Sequence, residues 1–267
     1  TRSFHVTGVQ TCALPISNIA GQPTMQQPNR EPNVEAILLA RPDVVLTMHR
    51  ESVGSLESRG VPTIFLSWQE PEDVKRCMQV LGEVYGKPER AASYQRYFDE
   101  TIRRVADALK PVEASKRPTV LYFQPSTLTQ PRLIAEWWIP AAGGISVTDD
   151  GRTAESKTFS LEQLIAWDPD ILIVTEPKDV QLVNADRVFK TLKALRNGKV
   201  YVVPVGAHTW SNRTAEQPLT VLWAAETFHP GRVAGPNLAA ETSSFYRRFF
   251  DHELPDAAVT EILSGTL

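Results

Sequence analysis

The sequence predicts an α/β protein of two lobes, each built on a parallel sheet, with one long helix between them. Three observations support this prediction: a segment that occurs twice, the alternation of helix and strand patterns after each copy, and an amphipathic stretch between the copies. The chain has 267 residues, a formal net charge of −3 and 42% hydrophobic residues. This length and composition suffice for a sizeable core in one or two ordinary domains.

The repeated segment comprises residues 34–46 and 161–173, which align without a gap. In each copy a glutamate, Glu35 or Glu162, stands seven residues before a Pro-Asp pair, and an aliphatic run follows the pair. A capping residue precedes each copy and a proline follows the helical pattern, so each copy predicts one short helix. The aliphatic run predicts a strand buried on both faces of a parallel sheet.

A second helix and a second strand are predicted after each copy. The helical patterns cover residues 51–59 and 186–196, and each ends at a glycine, Gly60 or Gly198. Glycine suits the left-handed conformation that follows many helix ends. The strand patterns that come next are residues 61–68 and 199–206. Alternating strands and helices predict an α/β lobe, and the duplication predicts two such lobes.

An amphipathic stretch from about Glu89 to Lys110 lies between the two copies. Its apolar residues recur at spacings of three or four: Tyr94, Phe98, Ile102, Val105 and Leu109. A helix of about 22 residues is about 33 Å long, close to the diameter of a domain. We therefore expect a stiff connector helix at 89–112, an incomplete N-terminal lobe at 18–88 and a C-terminal lobe at 113–267, with only small movements of the lobes.

The first 17 residues are interpreted as the translation of a DNA-sequencing adapter. Residues 6–16 read VTGVQTCALPI, and the alternative, a secretory signal with Cys12 as a lipid-attachment site, is weaker because polar residues interrupt the apolar run. The internal symmetry also indicates that the N-terminal lobe lacks its opening strand. Residues 118–160 precede the second copy of the repeat, whereas only residues 18–33 precede the first.

Composition and motifs exclude several classes of protein. A small negative charge without a basic stripe argues against nucleic-acid binding, and no apolar stretch is long enough to span a membrane. Cys12 and Cys77 form neither a zinc signature nor a disulfide framework. The sequence contains no G-x-S-x-G, G-x-G-x-x-G, P-loop or H-E-x-x-H motif. We therefore expect a protein that is not an enzyme.

Several short motifs occur in a characteristic order. They are Glu35 with Arg41-Pro42-Asp43, Gly60-Val61-Pro62, residues 81–87, Gly143-Gly144, residues 213–224 and the aromatic residues 245–250. In order and spacing they resemble the substrate-binding proteins of bacterial ABC importers for iron–siderophore complexes, haem and vitamin B12. The resemblance extends from about Asn33 to Gly265. It implies the class III periplasmic-binding-protein architecture, in which a single long connector helix joins two Rossmann-like lobes with parallel sheets and the ligand lies in a shallow cleft.

The resemblance also implies a function. The protein would be an extracytoplasmic receptor, periplasmic or lipid-anchored, that captures an iron chelate and delivers it to a membrane-embedded ABC permease. It would be a monomer with no intrinsic cofactor. Alternative ligands are a cobalamin, a haem or a nickel or cobalt chelate. An alternative from another class is a two-lobed metalloenzyme that uses His49 and His208.

Glu35 and Glu162 match the positions at which the family's glutamates pair with arginines of the permease. The resemblance therefore implies that these two residues dock the protein on its permease. A purely structural alternative is that a glutamate near the start of a helix complements the positive end of the helix dipole. That alternative explains one glutamate, but it explains less well the same glutamate at the same spacing in both copies.

Candidate ligand contacts follow the predicted strands, because open α/β sheets bind ligands at the carboxyl ends of their strands. Aromatic rings offer flat apolar area to a chelate, and arginine donates charge-assisted hydrogen bonds to its oxygens. The predicted contacts are His49, Arg50, Trp68, Trp137, Trp138, His208, Trp210 and Arg213. For each tryptophan, packing in the core is an equal alternative. For Arg213 the alternative is a salt bridge to Glu216 one helical turn further on.

Histidine and cysteine allow further local predictions. His49 and His208 follow equivalent strands of the two lobes and could complete the coordination shell of a metal, although surface histidines without a motif are more common. Cys77 lies in an apolar helical pattern and is expected in the core, as is Trp223. His229, which precedes a proline, is expected at the surface.

Overall fold

The computed structural model describes residues 24–27, 31–233, 235 and 237–266. The chain forms two compact units, which divide after Trp68. The segment interpreted as an adapter, residues 1–17, lies outside the described residues, as do residues 18–23 of the predicted N-terminal lobe. The second unit begins at Gln69 and therefore includes the helical region that separates the two copies of the repeat.

The first unit alternates helices and strands as the sequence predicts. Its elements are α1 (Val34–Ala40), β1 (Val45–Thr47), α2 (Arg50–Glu57) and β2 (Thr63–Phe65). The two strands pair in parallel, with Val45 opposite Thr63. The prediction that the first aliphatic run is buried on both faces is wrong, because the residues of β1 are only half-buried. Among the described residues β1 has a single neighbouring strand, so its other edge is not covered by a sheet.

The two copies of the repeat adopt the same local structure. Helix α1 and its counterpart α6 (Leu161–Trp167) are both seven residues long. Asn33 Oδ1 accepts a hydrogen bond from the third residue of α1, and Ser160 Oγ accepts one from the third residue of α6, at 3.1 and 3.2 Å. Each helix ends at a residue in the left-handed region, Arg41 or Asp168, directly before the Pro-Asp pair. The capped helix that the sequence predicts twice is therefore confirmed in both units.

The second unit contains a four-stranded parallel sheet with strand order β5-β3-β7-β8 and a short antiparallel pair β4-β6. Its strands are β3 (Thr119–Phe123), β4 (Thr129–Gln130), β5 (Ile145–Ser146), β6 (Lys157–Thr158), β7 (Ile171–Val174) and β8 (Val200–Val202). Its other helices are α3 (Pro71–Val84), α4 (Pro88–Leu109), α5 (Ala135–Ala141), α7 (Pro177–Ala185), α8 (Lys193–Arg196), α9 (Gln217–Phe228), α10 (Leu238–Phe250) and α11 (Asp256–Ser264).

Strand β7 lies in the middle of this sheet. All four of its residues are buried, as the sequence predicts for the second aliphatic run. In register, Val120 of β3 faces Ile171 and Phe123 faces Val174. The side chains of one face pack into a core that also includes Phe159 and Phe189. Because the strands of this sheet run parallel, their carboxyl ends meet at the same edge, where a ligand site is expected.

Helix α4 is the long helix that the sequence predicts between the two copies. It has 22 residues and covers almost the predicted range. The apolar face includes Tyr94, Phe98, Val105 and Leu109, which are buried, and the helix packs against α3 and α9 of the same unit. Tyr94 Oη donates a hydrogen bond of 2.7 Å to the carbonyl of Ala215. These contacts anchor α4 firmly within the second unit.

The segment between β7 and β8 differs from its prediction. Helix α7 is absent from the sequence-based assignment, although Pro177 at its start and the reciprocal bonds between Glu176 and Asp179 are recognised helix-start signals. The single helix predicted at 186–196 is wrong. Asp186 Oδ1 accepts hydrogen bonds from two backbone N–H groups, those of Val188 and Phe189, and so forms a turn. A 3₁₀ turn and the short helix α8 follow it.

Three predictions about single residues have different outcomes. Cys77 and Trp223 are buried, as predicted, and burial raises the pKa of the Cys77 thiol to about 12. The prediction that His229 is solvated is wrong, because the residue is buried and its Nε2 lies 3.1 Å from the carbonyl oxygen of Gly143. Gly143 has a φ of +79°, and a Cβ atom at this position would collide with the His229 ring. Within the described residues no helix is long and apolar enough to cross a bilayer.

Candidate ligand-binding site

Polar loops of the second unit follow the carboxyl ends of β3, β5 and β8. The loop after β3 leads through β4 into α5, the loop after β5 leads into β6, and the loop after β8 leads into α9. These loops and the start of α5 supply the residues of the candidate site: Arg132, Glu136, Trp137, Arg152, Glu155, His208 and Arg213. This is the edge of a parallel sheet at which α/β proteins bind ligands.

Two arginines of the site converge on one glutamate. Arg213 Nη2 donates a hydrogen bond of 2.6 Å to Glu155 Oε2, and Arg132 Nη1 lies 3.9 Å from Glu155 Oε1. The three side chains are partly exposed: 31% for Arg132, 26% for Arg213 and 39% for Glu155. We refer to these residues as the arginine–glutamate cluster. Two guanidinium groups at a solvent-accessible position can form paired hydrogen bonds with anionic oxygens.

A second ion pair lies deeper in the site. Arg152 Nη2 is 3.1 Å from Glu136 Oε1, and the two side chains are 9% and 11% exposed. Glu136 Oε1 also accepts hydrogen bonds from Gln130 Nε2 at 3.1 Å and Thr148 Oγ1 at 2.7 Å, while Arg152 Nη2 donates to Gln130 Oε1 at 2.8 Å. The network holds the start of α5 against the loop after β5. Such a network is rigid because each member has several partners.

A pocket of about 320 Å³ opens beside this ion pair. Its lining residues all belong to the second unit: Gln69, Glu70, Pro71, Leu133, Ile134, Glu136, Trp137, Arg152 and Thr153. Trp137 Nε1 and Glu136 Oε2 are buried and have no hydrogen-bond partner among the described residues. A buried polar atom without a partner costs about 1–3 kcal/mol.

His208 belongs to the loop after β8 and is half-buried. Its Nδ1 accepts a hydrogen bond of 2.6 Å from the backbone N–H of Thr209, and its Nε2 lies 3.5 Å from Asn212 Nδ2. Burial and the positive charge of Arg132 lower the pKa of His208. The imidazole is therefore neutral at neutral pH, and its Nδ1 is a hydrogen-bond acceptor. The described residues contain no group of three or more His, Cys, Asp or Glu side chains arranged to hold a metal.

Glu216 organises the loop that carries His208. Its carboxylate is fully buried and accepts hydrogen bonds from the backbone N–H groups of Ala207 and His208, from Trp210 Nε1, from Thr214 Oγ1 and from Tyr246 Oη. Burial raises the pKa of Glu216, and the hydrogen bonds that it accepts act in the opposite direction. The expected alternative, a salt bridge from Arg213 to Glu216, is not formed, because the Arg213 side chain pairs with Glu155.

The tryptophans predicted as ligand contacts fall into two groups. Trp138 and Trp210 are fully buried, so the prediction that they contact a ligand is wrong. The centre of the Trp138 ring lies 5.9 Å from that of Tyr122 and 6.5 Å from that of Trp223. Trp210 Nε1 donates a hydrogen bond to Glu216 Oε1. Trp137 lines the pocket, and the centre of its ring lies 6.0 Å from the centre of the Phe98 ring. Its role as a ligand contact stays a prediction.

The predicted contacts of the first unit follow β1 and β2. His49 occupies the N-cap position of α2 without a capping bond from its side chain, and its Nδ1 lies 3.7 Å from Glu51 Oε2. The exposed Arg50 guanidinium lies 3.9 Å from the centre of the Phe65 ring, a cation–π contact. Trp68 is half-buried at the end of the unit. The ligand roles of His49, Arg50 and Trp68 stay predictions.

The two predicted docking glutamates occupy identical places in their helices. Glu35 is the second residue of α1 and Glu162 is the second residue of α6, and both are exposed. Hydrogen bonding to Ser160 lowers the pKa of Glu162, so this carboxylate is charged at neutral pH. The docking role of the pair stays a prediction.

Sequence reasoning missed four residues of the site: Arg132, Glu136, Arg152 and Glu155. Arg132 and Arg152 both lie a few residues beyond a strand end, and an inspection of charged residues after every strand would have found them. Glu136 is adjacent to the predicted Trp137. Glu155 gives no local signal, because its partner Arg213 is 58 positions away in the chain.

The chain belongs to the periplasmic binding protein family, whose model matches residues 13–205. The resemblance identified from the motifs is therefore confirmed, and the family consists of solute-binding proteins rather than enzymes. The metalloenzyme alternative for His49 and His208 is accordingly set aside. The matched range begins inside the segment that the sequence analysis assigns to an adapter.

Particular relatives agree with this assignment. The chain is 23% identical over 206 residues to the Bacillus subtilis strain 168 protein named "Putative ABC transporter substrate-binding lipoprotein YhfQ". The match covers 68% of this chain and 62% of the relative, so the chain spans less than two thirds of the length of that relative.

Solved structures show the fold. An ABC transporter solute-binding protein from Sulfurospirillum deleyianum is 24% identical, with a TM-score of 0.83 over 97% of this chain and 86% of that one. MolA of Haemophilus influenzae, solved with bound molybdate, is 19% identical, with a TM-score of 0.78 over 90% of this chain and 81% of that one. The predicted α/β fold with parallel sheets is confirmed.

Proposed function

We propose that the protein is the substrate-binding component of an ABC importer and that it captures an anionic iron chelate. The observation that carries this proposal is the set of three arginines in the loops at the carboxyl edge of the parallel sheet: Arg152 lines the Trp137 pocket, and Arg132 and Arg213 converge on Glu155. Membership of the periplasmic binding protein family and the names of the relatives support the importer role.

The chemistry of the site favours an anionic ligand with some apolar surface. Arg132 and Arg213 are partly exposed and present N–H donors that suit carboxylate or catecholate oxygens. Trp137 and Leu133 add apolar area next to them. Ferric chelates with anionic oxygens have this combination. Haem, cobalamin and nickel or cobalt chelates are the alternatives, and the molybdate bound by the Haemophilus influenzae relative is itself an oxyanion.

The same proposal places the protein outside the cytoplasmic membrane, where it meets a permease. The exposed carboxylates of Glu35 and Glu162 offer two equivalent anionic contacts for basic residues of that permease. Exposed ion pairs contribute only about 0–1 kcal/mol each. We therefore expect them to set the orientation of docking and the rate of encounter more than the affinity.

Fluorescence titration of the full chain tests the proposed ligand class. We expect ferric citrate or a ferric catecholate to quench tryptophan fluorescence. In Arg132→Gln and in Arg213→Gln the affinity should fall by up to about tenfold, because each variant removes a charged hydrogen-bond donor. Arg247→Gln is the matched control, because Arg247 lies on α10 and pairs with Glu253, and this variant should leave the affinity unchanged.

Two results would contradict the proposal. Binding of cobinamide, haemin or nickel–histidine without binding of any ferric chelate would replace iron with that ligand. Equal affinities in wild type, Arg132→Gln and Arg213→Gln would show that the arginines do not contact the ligand.

A further inference from the structure

We propose that Glu155 is a tethered counter-anion that occupies Arg132 and Arg213 in the empty protein, and that an anionic ligand binds by displacing it. This inference rests on the proposed function, since it concerns the same site. It makes Glu155 a residue that determines specificity: the affinity for an anion depends on the free energy of the exchange, whereas a neutral ligand gains nothing from it.

The geometry of the arginine–glutamate cluster is the first argument. Glu155 Oε2 accepts a short hydrogen bond from Arg213, at 2.6 Å. Glu155 Oε1 is buried, has no hydrogen-bond partner among the described residues and lies 3.9 Å from Arg132 Nη1, beyond hydrogen-bond distance. The tethered carboxylate therefore satisfies one arginine well and the other poorly. A free anion can place an oxygen on each guanidinium and form more hydrogen bonds than Glu155 does.

The anchoring of the loop is the second argument. Glu155 lies between two residues that hold the loop after β5 in place, Arg152 and Lys157. Arg152 pairs with Glu136 in the deeper part of the site, and Lys157 Nζ lies 2.6 Å from Asp150 Oδ2. Because these anchors are independent of the cluster, the Glu155 side chain can leave the arginines while the loop keeps its attachments.

The exposure of the cluster is the third argument. The Glu155 side chain is 39% exposed, so an incoming anion reaches the arginines without opening the core. An ion pair at this degree of exposure is weak. Its displacement therefore costs little, while before a ligand arrives it offsets one of the two positive charges and holds Arg213 in place.

Metal-free citrate is the probe for the exchange, because its carboxylates can replace that of Glu155. Affinities for citrate are measured by calorimetry at constant ionic strength in wild type, Glu155→Gln and Asp149→Asn. We expect Glu155→Gln to bind citrate about two- to tenfold more tightly than wild type, since the competitor is gone. Asp149→Asn is the matched control: Asp149 is exposed on the same loop, accepts a hydrogen bond from the backbone N–H of Gly151, and belongs neither to the cluster nor to the two anchors, so we expect a change below about twofold.

The rate of amide hydrogen exchange provides a second readout, which the loss of one negative charge would not change by itself. Citrate should accelerate exchange at residues 153–156 in wild type, because the displaced side chain no longer holds this part of the loop. The same segment should already exchange at the faster rate in Glu155→Gln without citrate. The neutral ferric trihydroxamate ferrichrome should show no gain in affinity in Glu155→Gln.

The proposal is overturned by any of three results: equal citrate affinities in wild type and Glu155→Gln, an equal gain in Asp149→Asn, or exchange at 153–156 that citrate does not change. Binding of ferric chelates is measured separately. If no ferric chelate binds while citrate behaves as expected, the proposed iron ligand is wrong and the role of Glu155 stands.

Discussion

Glu216 shows how a single buried residue shapes the candidate site. A fully buried carboxylate is costly unless donors surround it, and Glu216 receives hydrogen bonds from the loop after β8 and from Tyr246 of α10. Gly206 passes so close to this carboxylate that a Cβ atom would collide with Glu216 and Tyr246. The loop that carries His208 and Arg213 is therefore fixed by contacts with the core rather than by a ligand.

Replacement of this carboxylate tests its contribution to stability. We expect Glu216→Gln to lower the free energy of unfolding by about 2–4 kcal/mol. The glutamine NH₂ group would face N–H and O–H groups that now donate to the carboxylate, and these would lose their acceptor. Urea unfolding at pH 7 measures the loss. The control Glu253→Gln alters an exposed ion pair and should leave the free energy of unfolding close to that of wild type. A loss for Glu216→Gln as small as that of the control would contradict the role of Glu216.

The sequence predicts single site residues unevenly. Trp137 and Trp138 are neighbours with the same local pattern, yet one lines the pocket and the other is in the core, because consecutive residues of a helix point about 100° apart. Reading residues after strand ends found Arg213 and His208. It could not find Glu155, since its contact with Arg213 depends on how the loop after β5 and the loop after β8 fold together.

At the scale of elements, local signals explain what was predictable. Helices α1 and α6 were predicted because a capping residue, a seven-residue helix and a Pro-Asp pair are all contained in a short window. Helix α4 was predicted because its apolar stripe is long. The turn after α7 was missed because an aspartate can precede either a helix or a turn. At Asp186 only the hydrogen bonds that its side chain accepts from the backbone of Val188 and Phe189 distinguish the two.

The Pro-Asp pair of the second copy joins two strands. Asp170 Oδ2 accepts hydrogen bonds from the backbone N–H and the hydroxyl of Thr119, both at 2.9 Å, at the start of β3. We expect Asp170→Asn to lower the free energy of unfolding by about 1–2 kcal/mol at pH 6, because hydrogen bonds to a charged acceptor are lost. Denaturant unfolding of wild type and variant measures the difference, and identical stabilities would refute the role of Asp170.

The pH dependence of that difference has a defined sign. Partial burial raises the pKa of Asp170, but hydrogen bonds from Thr119 and the charges of Lys193 and Lys199 outweigh it, and the folded pKa lies below its ordinary value. The stabilisation is therefore complete above the unfolded pKa of about 3.9 and is lost as the pH falls through the folded pKa. We expect the difference between wild type and Asp170→Asn to shrink below about pH 4. A constant difference down to pH 2 would contradict this assignment.

At the scale of the whole molecule, the duplicated helix gives two equivalent carboxylates, Glu35 and Glu162. We expect the double variant Glu35→Arg/Glu162→Arg to lose uptake of the chelate while its affinity for the chelate stays within about twofold of wild type. Transport by cells that lack the native protein, together with fluorescence titration, measures the two quantities.

A matched control separates docking from overall charge. Glu57→Arg/Glu100→Arg reverses two exposed glutamates, one in each unit, and should leave uptake near normal. If uptake is unchanged in Glu35→Arg/Glu162→Arg, or is lost equally in both double variants, the docking assignment is wrong.

The link between Tyr246 and the loop after β8 has a practical consequence. The Tyr246 hydroxyl bonds both to Glu216 and to the backbone N–H of Ala207, so its electronic environment depends on the conformation of a loop that belongs to the candidate site. A fluorotyrosine at this position would turn a core residue into a magnetic-resonance reporter. Any solute that shifts the loop would alter the reporter's signal, without a label placed at the site itself.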